Sequence, residues 1–123
     1  MQIVDTNIML RYILSDNEEQ ATQAEQIIDN NHIHLPIEVL CEVVYVLEKV
    51  YNADREDIET QLSDIINSEN ITVPYKEAVL LGLQHYNKNK LDFVVGILAG
   101  YSEAENATVH TFDKKLRKII DKQ

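Results

Sequence analysis

Apolar residues recur along the chain in short blocks that switch between two regular periods. Gln2-Ile3-Val4, Ile33-His34-Leu35, Ile71-Thr72-Val73 and Thr108-Val109-His110-Thr111-Phe112 are brief runs bounded by polar or proline positions, and they predict strands. Between them the apolar positions fall three and four apart. Ile8, Leu10, Ile13 and Leu14 predict a first helix. Ala21, Ala24, Ile27 and Ile28 predict a second, behind the cap and acidic turn of Asp16-Asn17-Glu18-Glu19. Pro36 is placed to open a third helix reaching to about Tyr51, and Asp54 a fourth with Ile58, Leu62, Ile65 and Ile66 along one stripe. Lys76 to about Asn87 reads as a fifth and Asp92 to about Glu105 as a sixth, strongly apolar one. Asp113 begins a seventh with Leu116, Ile119 and Ile120 inward. Strands alternating with helices predict an α/β domain with a parallel sheet covered on both faces. No linker, repeat or Pro/Gly-rich break divides residues 1–123, so one domain is expected.

Composition narrows the class. With 45% apolar residues, three Gly and two Pro in 123 residues, disorder is excluded and one core is affordable. The single cysteine, Cys41, cannot make an internal disulfide and suits a reducing compartment, so a cytoplasmic protein is expected. No stretch approaches the roughly 18 apolar residues of a membrane span, and Asp5 interrupts the position of a secretory leader. The net charge of −10 argues against nucleic acid, because counterion release needs clustered cations. Its distribution softens the objection. Residues 1–72 hold fifteen acids against three bases, while residues 73–123 hold six against eight, with Lys114, Lys115, Arg117, Lys118 and Lys122 close together. Such a run serves either as a solvated helix end, where the dipole favours cations, or as a phosphate-facing patch.

Four carboxylates stand in unusual places. Asp5 and Asp113 each follow a predicted strand directly, so both are expected at one edge of the sheet, where parallel α/β folds bind ligands; alone, each is also an ordinary helix cap. Glu42 is the only charge in Val39-Leu40-Cys41-Glu42-Val43-Val44-Tyr45-Val46-Leu47, a segment expected to be buried all round. A buried carboxylate needs either a core ion pair, for which the first 72 residues offer only Arg11, Lys49 and Arg55, or a divalent cation, and the cation is the favoured partner. Asp92 opens the sixth helix as a cap or first-turn acid. Carboxylates converging from separate elements suit a hard cation such as Mg²⁺ or Mn²⁺, able to activate water against a phosphodiester. His32, His34, His85 and His110 follow no zinc spacing, and there is no Gly-rich phosphate loop or nucleophile elbow.

Ile3-Val4-Asp5-Thr6-Asn7-Ile8-Met9-Leu10-Arg11-Tyr12, Leu40 to Leu47 around Glu42, and Thr108 to Leu116 around Asp113 together resemble the PIN domain, most closely the VapC-type toxins of bacterial toxin–antitoxin pairs. The resemblance spans essentially the whole chain, in order. It implies a three-layer α/β/α domain with a central parallel sheet of four to five short strands. It also implies a Mg²⁺- or Mn²⁺-dependent endoribonuclease in which Asp5, Glu42 and Asp113 are metal ligands. Asn7 and Thr111 fall on supporting polar positions, and Arg11 and the terminal bases are candidates to balance substrate charge. The implied partners are RNA, a VapB-like antitoxin and a second copy of the chain.

One departure is visible. The family pattern resembles Asp-Phe-Ala-Asp-Ala-Leu, whose second Asp is the usual ligand; here Asp92-Phe93-Val94-Val95-Gly96-Ile97 puts Val95 at that position. Asp92 lies three residues earlier, a helical offset of about 4.5 Å and roughly 60°, which places it at the site's edge to orient water or accept a proton. The alternative function is therefore a catalytically weakened PIN scaffold that binds RNA or a protein without cutting. A phosphatase using Asp5 as nucleophile is disfavoured, since Asn7 stands where a second Asp is required.

Overall fold

Seven helices and three very short strands make up the chain, described over all of its 123 residues by a computed structural model. In order these are β1 (Gln2–Ile3), α1 (Thr6–Leu14), α2 (Glu18–Asp29), β2 (Ile33–His34), α3 (Ile37–Lys49), α4 (Arg55–Ile66), β3 (Ile71–Thr72), α5 (Lys76–Lys88), α6 (Phe93–Glu105) and α7 (Lys114–Asp121). The strands run parallel in the order β1-β2-β3, with Gln2, Ile33 and Ile71 in one row and Ile3, His34 and Thr72 in the next. Strand periodicity is visible in the burial. Ile33 and Ile71, then Val4, Leu35 and Val73 at the strand ends, are buried against the helices, whereas Ile3 is 54% exposed on the opposite face.

Thr108–Phe112 does not form the expected further strand, so the sheet has three strands rather than four to five. None of its backbone groups joins a ladder to β1, and Phe112 is fully exposed. Of its five residues only Val109 and Phe112 are strongly apolar, too little buried area to hold a fourth two-residue-scale strand at that edge.

All seven expected helices are present, and their ends follow local chemistry. Asp5 accepts from the Ile8 N–H at 3.0 Å, Asn17 from Gln20 at 3.0 Å, and Asp113 from Leu116 at 2.8 Å, satisfying N-terminal donors that would otherwise lack partners. Leu40, Val43, Val44 and Leu47 turn the inner stripe of α3 into a core shared with Leu62, Ile66, Leu83 and Ile97. The tightest contact is between α5 and α6, where Gly82, Gly96 and Gly100 leave the two backbones almost touching. A Cβ on Gly96 would stand 2.6 Å from the Gly82 carbonyl oxygen, and one on Gly100 would collide with that of Ala78. No helix is long and apolar enough to cross a membrane.

Candidate active site

Because β1 and β2 are parallel, the residues that follow them leave the same edge of the sheet, and α1 and α3 start side by side there. Asp5 occupies the N-cap of α1, exposed, with one carboxylate oxygen engaged by the Ile8 amide and no cation paired to it. Asn7, in the first turn, is exposed as well. Glu42 lies in the middle of α3 but is exposed, which corrects its expected burial. The helical period explains this. Glu38, Glu42, Tyr45 and Lys49 form one continuous outward stripe opposite the buried one, so Glu42 needs no partner inside the core and has none.

Asp113 caps α7 rather than ending a strand. Thr111 supports that turn, its hydroxyl accepting from the Asp113 amide at 2.9 Å and its carbonyl from Arg117 at 3.0 Å. Arg11 is turned to structural duty. Its guanidinium contacts Asp16 at 2.5 Å and the Tyr51 hydroxyl at 3.1 Å, so it does not stand free to meet substrate. Lys114, Lys115, Arg117 and Lys118 are exposed on α7.

Asp5, Glu42 and Asp113 have suitable chemistry for a hard cation, since none is spent on an ion pair. They do not form a chelate in this arrangement, where no three His, Cys, Asp or Glu side chains are close enough to hold an ion. Thr108–Phe112 does not join the sheet, so Asp113 stands at the start of α7 and not at the end of a strand, and Val95 adds no oxygen.

Asp92 and Val95 instead face a groove of about 390 Å³ between α3 and the start of α6. Tyr45 and Val94, 63% and 57% exposed, stand on its walls, and Cys41, whose thiol burial pushes up, contributes an inert surface. Asp92 sits at the N-cap position of α6 without making a cap hydrogen bond and pairs with no cation.

Beneath the groove lies an ionic junction. Arg55, first residue of α4, donates to the carbonyls of Tyr86 at 2.8 Å and Leu91 at 2.7 Å, stacks 4.3 Å from the centroid of the Tyr86 ring, and faces Glu48 at 3.6 Å. Tyr86 in turn donates its hydroxyl to Glu48. One guanidinium thus ties the C-terminal turn of α5 and the residue before Asp92 to α3. The Tyr86 hydrogen bond, helped by Lys49 and Arg55, holds the Glu48 carboxyl below its ordinary value, while burial and the Glu48 charge push the Tyr86 phenol up.

The sign of the linkage follows. The Glu48 contribution is present above the usual glutamate value of about 4.5 and is lost as pH falls through its depressed native value. The Tyr86 contribution holds below about 10 and is lost above it. Thermal melts are therefore expected to show a plateau between these limits, and Glu48→Gln should flatten the acid limb. An unchanged acid limb would show that the junction contributes nothing.

Residues 3–122 match the family model described as PIN domain. The chain belongs to the PIN-domain family. It is also 31% identical over 99 residues to the VapC ribonuclease of Aquifex aeolicus (strain VF5), an alignment covering 76% of this chain and 73% of that protein. No solved structure gives a significant match. In this PIN domain the groove wall of Tyr45 and Val94 and the Arg55–Glu48–Tyr86 junction escaped the sequence reading. Tyr45 was visible only as the position one turn beyond Glu42, and Arg55 only as a stray base in an acidic half.

Proposed function

We propose that this PIN domain is an endoribonuclease of the VapC kind, the toxin of a toxin–antitoxin pair, working as one domain over residues 1–123 in the cytoplasm. Its substrate is RNA, its inhibitor a VapB-like antitoxin, and its active form a homodimer. Family membership over nearly the whole chain carries this reading, and the unpaired carboxylate of Asp5 at the edge of the sheet, with Glu42 exposed and unpaired on α3, supports it. Asp5, Glu42 and Asp113 are the residues proposed to hold Mg²⁺ or Mn²⁺, which would supply an activated water and charge stabilisation at the phosphate. Asn7 and Thr111 support that edge. Asp92 meets the substrate from the groove, and the exposed bases of α7 offset phosphate charge.

A second reading, a PIN scaffold weakened for cleavage, is favoured by one observation, Val95 in the groove where the family pattern carries a carboxylate. Cleavage of single-stranded and structured RNA with Mn²⁺, with and without chelator, separates the two. Metal-dependent cleavage by the unmodified chain is the expected result; chelator-insensitive cleavage, or none, would sink the nuclease reading in this form. Val95→Asp is expected to tighten Mn²⁺ binding by on the order of tenfold, since each added ligand charge strengthens a carboxylate site. Calorimetry showing no change would mean that α6 does not face the ion.

A further inference from the structure

We infer that the groove between α3 and α6 is a slot for one unpaired guanine of the RNA, with Tyr45 as its stacking platform and Asp92 as the group that reads the base. The inference rests on the nuclease reading above and adds a specificity site to it.

Size comes first. About 390 Å³ is room for a single nucleobase with part of its ribose, and too little for a helix or a folded element. Next comes the surface. Tyr45 is 63% exposed although it is the largest side chain on its stripe, and Val94 and Val95 continue the apolar wall across the gap. Unpaired bases are recognised by stacking on aromatic faces of this sort. Val95 matters here because it keeps the floor apolar, where a carboxylate would draw a cation instead.

Hydrogen-bonding capacity then selects the base. The groove has two carboxylates, but Glu48 is already engaged by Tyr86, Arg55 and Lys49, whereas Asp92 has no hydrogen-bond or ion-pair partner. A free carboxylate accepts two parallel N–H bonds, and guanine presents such a pair on its N1–H and N2–H₂ edge. Adenine and cytosine offer a single amino group, and uracil a single imino N–H. Lys49, ion-paired with Glu48 at 3.1 Å and exposed at the rim one turn beyond Tyr45, keeps further ammonium donors for the O6 or N7 acceptors of the same base. Tyr45 is also one turn beyond Glu42 on the outer stripe, so a base held here lies beside that proposed ligand.

Labelled oligouridines carrying one guanine or one adenine, bound in chelator so that no cleavage occurs, test this directly. The guanine oligomer is expected to bind roughly tenfold tighter, the discrimination a good bidentate contact supplies. Tyr45→Ala should weaken binding of both oligomers, Tyr45→Phe should leave both as in the parent, and Asp92→Asn should erase the difference between them. Tyr45 is exposed and Asp92 makes no cap bond, so all three variants are expected to fold, which circular dichroism checks. Equal binding of the two oligomers, or parental binding by Tyr45→Ala, overturns the slot and leaves the nuclease reading standing. Absence of any RNA binding in chelator also overturns the slot, and only absence of cleavage once Mn²⁺ is restored overturns the nuclease reading as well. A basic peptide that shifts the NMR signal of Tyr45 where neither oligomer does would overturn it in favour of a protein occupant.

Discussion

Glu42→Gln is expected to lower Mn²⁺-dependent RNA cleavage on the order of 100-fold or more while leaving thermal stability unchanged. The two halves of this expectation have separate causes. Loss of one charged ligand or transition-state contact in a preorganised site costs that much in rate. Stability is indifferent because Glu42 is exposed and makes no ion pair or side-chain hydrogen bond, and substitutions of that kind stay within about 0.5 kcal/mol. Asp5→Asn gives a companion result. Asparagine caps a helix about as well as aspartate, so the bond to the Ile8 amide survives and α1 should remain intact. Only the charge is removed, and cleavage should fall by a similar factor. Full activity in either variant, measured on the same RNA, would remove that carboxylate from the reaction.

Gly100→Val is expected to destabilise the fold by about 3 kcal/mol or more, a large part of the margin of an ordinary domain. On an open helix surface the milder change Gly→Ala gains about 1 kcal/mol, because alanine restricts the unfolded chain and favours helix. Here the sign reverses even for alanine. The first carbon of any side chain on Gly100 falls onto the Ala78 carbonyl oxygen, a backbone atom that cannot rotate away. Gly96→Ala meets the Gly82 carbonyl at 2.6 Å and should cost about 2 kcal/mol. Urea titrations of the two alanine variants decide the matter; a gain in stability would show that α5 and α6 separate without cost.

How far the sequence revealed this molecule varied with the range of the interaction. Helices were legible because each carries its own stripe. Ala21, Ala24 and Ile28 are buried as their spacing implies, with the fourth member, Ile27, left outward. Strand propensity was a poorer guide, since it reports fit to a neighbour and Thr108–Phe112 has no neighbour on β1. The same limit explains Glu42. Apolar neighbours on every side made α3 read as wholly buried, yet Tyr45 shows that an apolar stretch can face outward. The four acids stand out in the sequence, but no shared sheet edge brings them together, because Asp113 follows a segment outside the sheet and Glu42 lies in the middle of α3. The Arg55 junction joins three helices and the α5–α6 connection, two of its four contacts being to backbone carbonyls, and carbonyls leave no trace in composition or period.

The open side of β1 carries a hazard of its own. An unsatisfied strand margin invites a second chain to lie along it, and the unpaired Thr108–Phe112 stretch, ending in a bare phenylalanine, is a ready donor. Brevity is the safeguard. Two residues followed by the buried Val4 and then the Asp5 carboxylate give a template too short to copy, so the molecule can leave its margin uncovered without seeding fibres.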